Sequence, residues 1–373
     1  MIDVFKIAEI LVDNVKAKYA DDIAIVAYYG SYAQGRANEK SDLDFFYIPD
    51  SIEKVNASLQ FVLDEIGFDF WPISWERAER IASFDEAIVS VIADSKVLYA
   101  RSDADSARFD TLKDKVSALC KPENNAVMLY KAFDCLKDCY MYLYNMRLPA
   151  SENNLATTRF EAYKVMTTVM QSLALLNQTY FSRGLGQNME QVLALVLKPD
   201  GLDELLNRIM TQSSCAKIKS LCKELVNKTR ELLISEQRVL SRSHTHPDVF
   251  TGFYEEAKGT FNKIISACER NDYDTAFFAS LSIQNEISLC LAIAEEGVEY
   301  TGFNTYSESG KAYGNLELPD LAGMIENGKL NILKNAVIEL DEKMKGILKM
   351  RGVCLNIFDT LDEFKSFVQN KPR

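Results

Sequence analysis

Ile25-Val26-Ala27-Tyr28-Tyr29-Gly30-Ser31, then a polar spacer, then Ser41-Asp42-Leu43-Asp44-Phe45-Phe46-Tyr47-Ile48, is the stretch that decides the reading of this chain. An apolar run ending in Gly-Ser reads as a buried strand that delivers a tight turn. The run after the spacer reads as a second strand, and alternation puts Asp42 and Asp44 on one face of it. Two carboxylates held side by side repel, by roughly 4 kcal/mol at ~4 Å in an effective dielectric of about 20. A cation removes that penalty, and hard oxygen ligands on a rigid strand suit Mg²⁺ carrying a nucleoside triphosphate. Gly30 lets the backbone approach a phosphate closely, and Ser31 offers a hydroxyl and an N–H to its oxygens.

Gly-Ser, a spacer of this length and Asp-x-Asp together resemble the signature of the polymerase-β-like nucleotidyltransferase superfamily. Within it the chain is most similar to the bacterial enzymes that adenylylate aminoglycosides or lincosamides. The motif-bearing part covers about the first hundred residues. The resemblance implies an N-terminal nucleotidyltransferase fold, ATP or another NTP as co-substrate, Mg²⁺ as cofactor and in-line attack on the α-phosphate. It also implies a third acidic residue a few tens of residues beyond the pair. Asp69 fits, because Phe68 and Phe70 flank it on the opposite face of a strand read over residues 68–73. Asp42, Asp44 and Asp69 are thus the expected catalytic and metal-binding set. Gly30, Ser31, Lys40 and Arg36 are the expected phosphate contacts, although Tyr32 and Gln34 stand where many relatives carry arginine. A separate general base from the helical region is a further expectation, with Asp134, Asp138 and Glu161 as candidates.

An amphipathic helix is expected over residues 5–19, a helix capped by Asp50-Ser51 to about Glu65, helical segments at 75–82 and 85–93, and a short strand at 96–100. Small, polar residues at 101–106 mark a domain boundary. Beyond them strand patterns nearly vanish and long 3.6-periodic segments follow, interrupted at Leu148-Pro149, Gly184-Leu185-Gly186 and Lys198-Pro199-Asp200-Gly201. The expected class is α+β: a small mixed sheet with helices, then a large all-α helical-bundle region. The expected domains are residues 1–101 for catalysis, 102–245 as a helical domain covering the cleft, and 246–373 as a second bundle.

Composition narrows the function further. The 373 residues are 47% hydrophobic and 26% charged, with a net charge of −12. That charge disfavours a nucleic-acid partner, which selects for a basic face. No apolar run approaches the ~20 residues of a membrane span, and the N-terminus lacks a signal-peptide layout. Eight scattered cysteines without CxxC spacing suit free thiols in a reducing cytoplasm. The leading expectation is transfer of AMP to a hydroxyl of a small-molecule acceptor, an antibiotic by the resemblance. Modification of a protein acceptor, as in AMPylating or toxin–antitoxin enzymes, and a non-catalytic nucleotide-binding module stand as alternatives. Arg238 and His244 also fit the loose Arg-x(4–6)-His pattern of helical ribonucleases.

Overall fold

A computed structural model describes residues 3–38, 41–53, 55–148, 153–184, 186–240, 244–297 and 305–370. The chain divides into two compact units, Met1–Glu236 and Gln237–Arg373. The first holds a five-stranded mixed sheet and most of the long helices that follow it, so the α+β class stands.

Helix α1 (Val4–Lys18) starts at Asp3, whose carboxylate accepts the Phe5 N–H, and it buries Ile7, Leu11 and Val15 against the sheet. The strands are β1 (Ile23–Tyr29), β2 (Asp44–Pro49), β3 (Leu59–Leu63), β4 (Ile66–Pro72) and β5 (Lys96–Ala100), in spatial order β3-β4-β2-β1-β5. Only β2 and β4 run parallel; the other pairs are antiparallel. Odd positions of β2, Phe45 and Tyr47, face the α1 side. Phe46 on the other face meets Phe109 of α4 (Asp103–Leu119) at 6.1 Å between ring centroids. Helices α2 (Trp75–Ala82) and α3 (Ser90–Ala93) pack beside α4. Arg101, just before α4, bonds Asp50 and Asp105 side chains and the Asp21 carbonyl, tying that helix start to the strand ends.

Among the described residues from Asp50 to Glu65 the expected helix is absent. Residues 59–72 form a β3–β4 hairpin instead, turning at Asp64 and Glu65, both with positive φ (52° and 61°). Paired positive φ values match the right-handed twist of a two-residue hairpin, and they override the local helical pattern. The segment expected to be helical over 85–93 contracts to α3, since Phe84 at φ 62° ends α2 and the chain bends before Ser90.

Helices α5 (Asn125–Asn145) and α6 (Leu155–Leu176) form an antiparallel pair, followed by α7 (Met189–Ala194), α8 (Leu202–Thr211) and α9 (Cys215–Leu240). The second unit contains α10 (His246–Phe250), α11 (Phe253–Glu269), α12 (Tyr273–Glu296), α13 (Tyr306–Ser309), α14 (Lys311–Asn315), α15 (Leu321–Met324), α16 (Leu330–Met350) and α17 (Leu361–Asn370). Its core joins Phe261, Ile287 and Leu340 from α11, α12 and α16. One sequence expectation is corrected here: α12, with 24 residues, is long and apolar enough to cross a membrane by length and composition. In the fold it packs against α10, α11, α14 and α15, and its buried Gln284 bonds Tyr306, Asp320 and the Ala322 N–H. That is the environment of a core helix.

Candidate active site

One rung of the sheet carries the polar residues. Tyr29 of β1 pairs with Asp44 of β2, and Gln60 of β3 pairs with Asp69 of β4. The parallel register sets Phe45 beside Phe70, so one step earlier Asp44 and Asp69 are neighbours. With Phe45 and Phe70 buried towards α1, the alternation turns both carboxylates to the other face. Asp42 precedes β2 and interacts electrostatically with Asp44, as Asp69 does. The structure therefore brings together the three acidic residues that the sequence singles out.

Gly30 closes the site from the β1 side. Its φ is +78°, and a Cβ built on it would lie 2.2 Å from Asp44 Oδ2. Backbone and carboxylate touch here because glycine has no side chain. The turn beyond is tied by the Gln34 N–H to the Gly30 carbonyl (3.2 Å) and the Arg36 N–H to the Ser31 carbonyl (2.9 Å).

Burial, with the charges of Asp42 and Asp69, pushes the Asp44 carboxyl up to about 6. Burial also raises Asp42. Tyr29 is pushed up to about 12 by burial and then by the Asp44 charge, while the Trp71 indole donates to its hydroxyl at 3.3 Å. Gln60 Nε2 donates to Asp69 Oδ1 at 2.7 Å, which fixes that carboxylate. Gln60 is not marked by sequence, because it falls in the segment read as helix; Tyr29 and Trp71 read from sequence either as aromatics that stack on adenine or on the acceptor or as core residues beside a sheet.

Among the described residues no three His, Cys, Asp or Glu side chains stand in an arrangement that would hold a metal ion by themselves. Mg²⁺ usually takes one or two carboxylates and completes its shell with water and substrate phosphates, so a preformed cage is not required. An all-oxygen donor set that resists ionisation at Asp44 fits such an ion, because a cation offsets the repulsion. Asp44 with Asp42 or Asp69 would hold it, water and substrate phosphates completing the shell.

The remaining expected residues separate. Arg36 is exposed at the end of the turn, and Lys40 lies outside the described residues. Asp134 and Asp138 line a cavity of about 490 Å³ between residues 84–87 and the α5–α6 pair. Glu161 is buried elsewhere on α6 and accepts from Lys164 at 3.0 Å. Arg238 pairs with Glu296 at 3.8 Å, and residues 241–243 of the ribonuclease-like pattern lie outside the described residues.

A pH dependence follows from Asp44. An ordinary unfolded aspartate titrates near 3.9, and the folded value is higher, so folding favours the protonated form. In chelator its contribution is fully present below pH ~4 and is lost as pH rises to about 6. Urea unfolding between pH 4 and 7.5 should show this loss. The slope should shrink in Asp44→Asn and on addition of Mg²⁺ at pH 7.5.

Residues 106–239 match the KNTase C-terminal domain family. A Methanocaldococcus jannaschii protein named "Putative protein adenylyltransferase" is 30% identical over 95 residues, which cover 23% of this chain. The match spans 65% of that relative's own length. The crystal structure of a nucleotidyltransferase-like protein from Exiguobacterium sibiricum aligns over 65% of this chain and 84% of its own, at 10% identity and a TM-score of 0.34. The family match and the named relative support the polymerase-β-like nucleotidyltransferase superfamily, the group that the Gly-Ser and Asp-x-Asp residues resemble.

Proposed function

We propose that this chain, in keeping with that superfamily, is a divalent-metal-dependent nucleotidyltransferase that moves a nucleoside monophosphate, AMP from ATP, onto an acceptor hydroxyl. The observation that carries the reading is the sheet rung on which Asp44 and Asp69 stand side by side, with Asp42 next to them and Gly30 in contact. A bound divalent cation supplies charge neutralisation at the α-phosphate. Gly30 and Ser31 offer backbone and hydroxyl groups to the phosphates, and Gln60 keeps Asp69 oriented. Asp69 accepts the proton of the acceptor hydroxyl as that oxygen attacks phosphorus.

A small molecule is the acceptor in this reading, and the cavity lined by Asp85, Lys131, Asp134 and Asp138 has the volume to take one. A protein acceptor is the second reading, favoured by the name of the archaeal relative. Incubation with α-labelled ATP and Mg²⁺ tests both. Label on aminoglycosides or lincosamides supports the first, and label on protein bands of a lysate supports the second. Absence of any transferred label, with ATP binding intact, would remove the enzymatic reading. Acidic charge and free cysteines make a cytoplasmic location part of the same proposal.

A further inference from the structure

The parallel ladder that carries the two carboxylates is short. Strands β2 and β4 match at three residue pairs, Phe45–Phe70, Phe46–Trp71 and Tyr47–Pro72. Pro72 has no N–H to give to such a ladder. Asp44 and Asp69 stand one step before the first pair, at the open end of the ladder. Their like charges act on each other there and push the two strands apart.

Gln60 fixes the direction of Asp69 from the β3 side, but it ties β4 only to its own hairpin partner. A different bond reaches across the strand of Asp44. Tyr29 lies on β1 opposite Asp44, Trp71 lies on β4 two residues after Asp69, and β2 runs between those two strands. Alternation puts both aromatic side chains on the face of the carboxylates. The Trp71 indole donates to the Tyr29 hydroxyl at 3.3 Å, with the rings edge to face at 6.4 Å between centroids. Phe46 of β2 sits beside the phenol at 6.1 Å. The Arg77 guanidinium of α2 lies over the same indole, 5.3 Å from its centroid, and Glu86 holds it through Nε and Nη2, both at 3.0 Å. The place of the indole is thus set by α2 as well as by β4.

We infer that Tyr29 and Trp71 are positioning residues: a strap over β2 that keeps Asp69 beside Asp44, so that both carboxylates serve one divalent cation. The inference rests on the metal-dependent reading and selects between the two pairings open to the ion. Asp42 and Asp44 are two residues apart in the chain and need no strap. Asp44 and Asp69 come from separate strands and do. Without the strap the empty site relaxes apart, and part of the binding free energy of the cation goes into drawing the strands together.

Calorimetric titration of the full chain with Mn²⁺ alone reads this without any reaction. Tyr29→Phe removes one oxygen and keeps the ring, and Trp71→Phe removes the indole N–H. Each should weaken Mn²⁺ binding about tenfold. The double variant should also lose about tenfold, because the same bond is missing in all three. In Tyr29→Phe the Mg²⁺ concentration for half-maximal transfer should rise by a similar factor, with kcat at saturating Mg²⁺ within about threefold of the parent. Should Trp71→Phe fail to fold, Tyr29→Phe carries the test alone. Equal Mn²⁺ affinity in Tyr29→Phe and the parent would overturn the inference, whatever happens to Tm, as would a parent that binds no Mn²⁺. Losses that multiply in the double variant would overturn it too. Weaker Mn²⁺ binding in Tyr29→Phe, in a chain that transfers no label from ATP, would support the strap while the reaction assigned above falls.

Discussion

Replacing Asp44 with asparagine is expected to lower nucleotidyl transfer by about 10³-fold or more, while making the metal-free protein more stable above pH 6. Both effects have one origin. Asp44 sits on the central strand between Tyr29 and Asp69, is half-buried, and feels the charges of Asp42 and Asp69. Its ionised form is costly in the empty site and valuable when a cation is present. A rate loss of 10³ corresponds to about 4 kcal/mol of transition-state stabilisation, comparable with roughly 4 kcal/mol for one pair of unit charges at ~4 Å. Asparagine keeps the shape and removes the charge. Steady-state transfer of labelled AMP measures the first effect, and urea unfolding in chelator at pH 7.5 measures the second. An Asp44→Asn protein that retained transfer within tenfold of the parent would remove Asp44 from the site. One that lost activity and stability together would point to misfolding.

Sequence made part of this site legible and hid the rest, for identifiable reasons. Gly30, Ser31, Asp42 and Asp44 are local: a strand end, a turn and a strand start within 15 residues convey their own geometry. Asp69 is readable as to its face, through Phe68 and Phe70, but only the parallel β2–β4 pairing sets it beside Asp44. Gln60 was hidden because β3 is an exposed strand whose apolar residues do not alternate cleanly, and its turn, Asp64-Glu65, lacks the usual Asn-Gly chemistry. The long helices were legible because their apolar faces keep a 3.6-residue period, as in α5 and α16.

Gly30→Ala is the sharper test, because two separable costs meet at one methyl group. The first is conformational: at φ +78° an L-residue costs about 1–2 kcal/mol. The second is steric, since the added Cβ would lie 2.2 Å from Asp44 Oδ2, and the carboxylate must rotate away from the rung. Gly35 separates them. It has φ +69° with nothing within 4 Å of its Cβ position, so Gly35→Ala should lose a similar ~1 kcal/mol of stability and keep its transfer rate. Gly30→Ala should lose that stability and, in addition, about 10²-fold or more in rate, because a displaced ligand of ~1 Å is enough for such a loss. The double variant Gly30→Ala/Asp44→Asn should be little slower than Asp44→Asn alone, since both changes remove the same carboxylate from its position. Additive losses would mean that Gly30 serves the phosphates directly and that its contact with Asp44 is incidental.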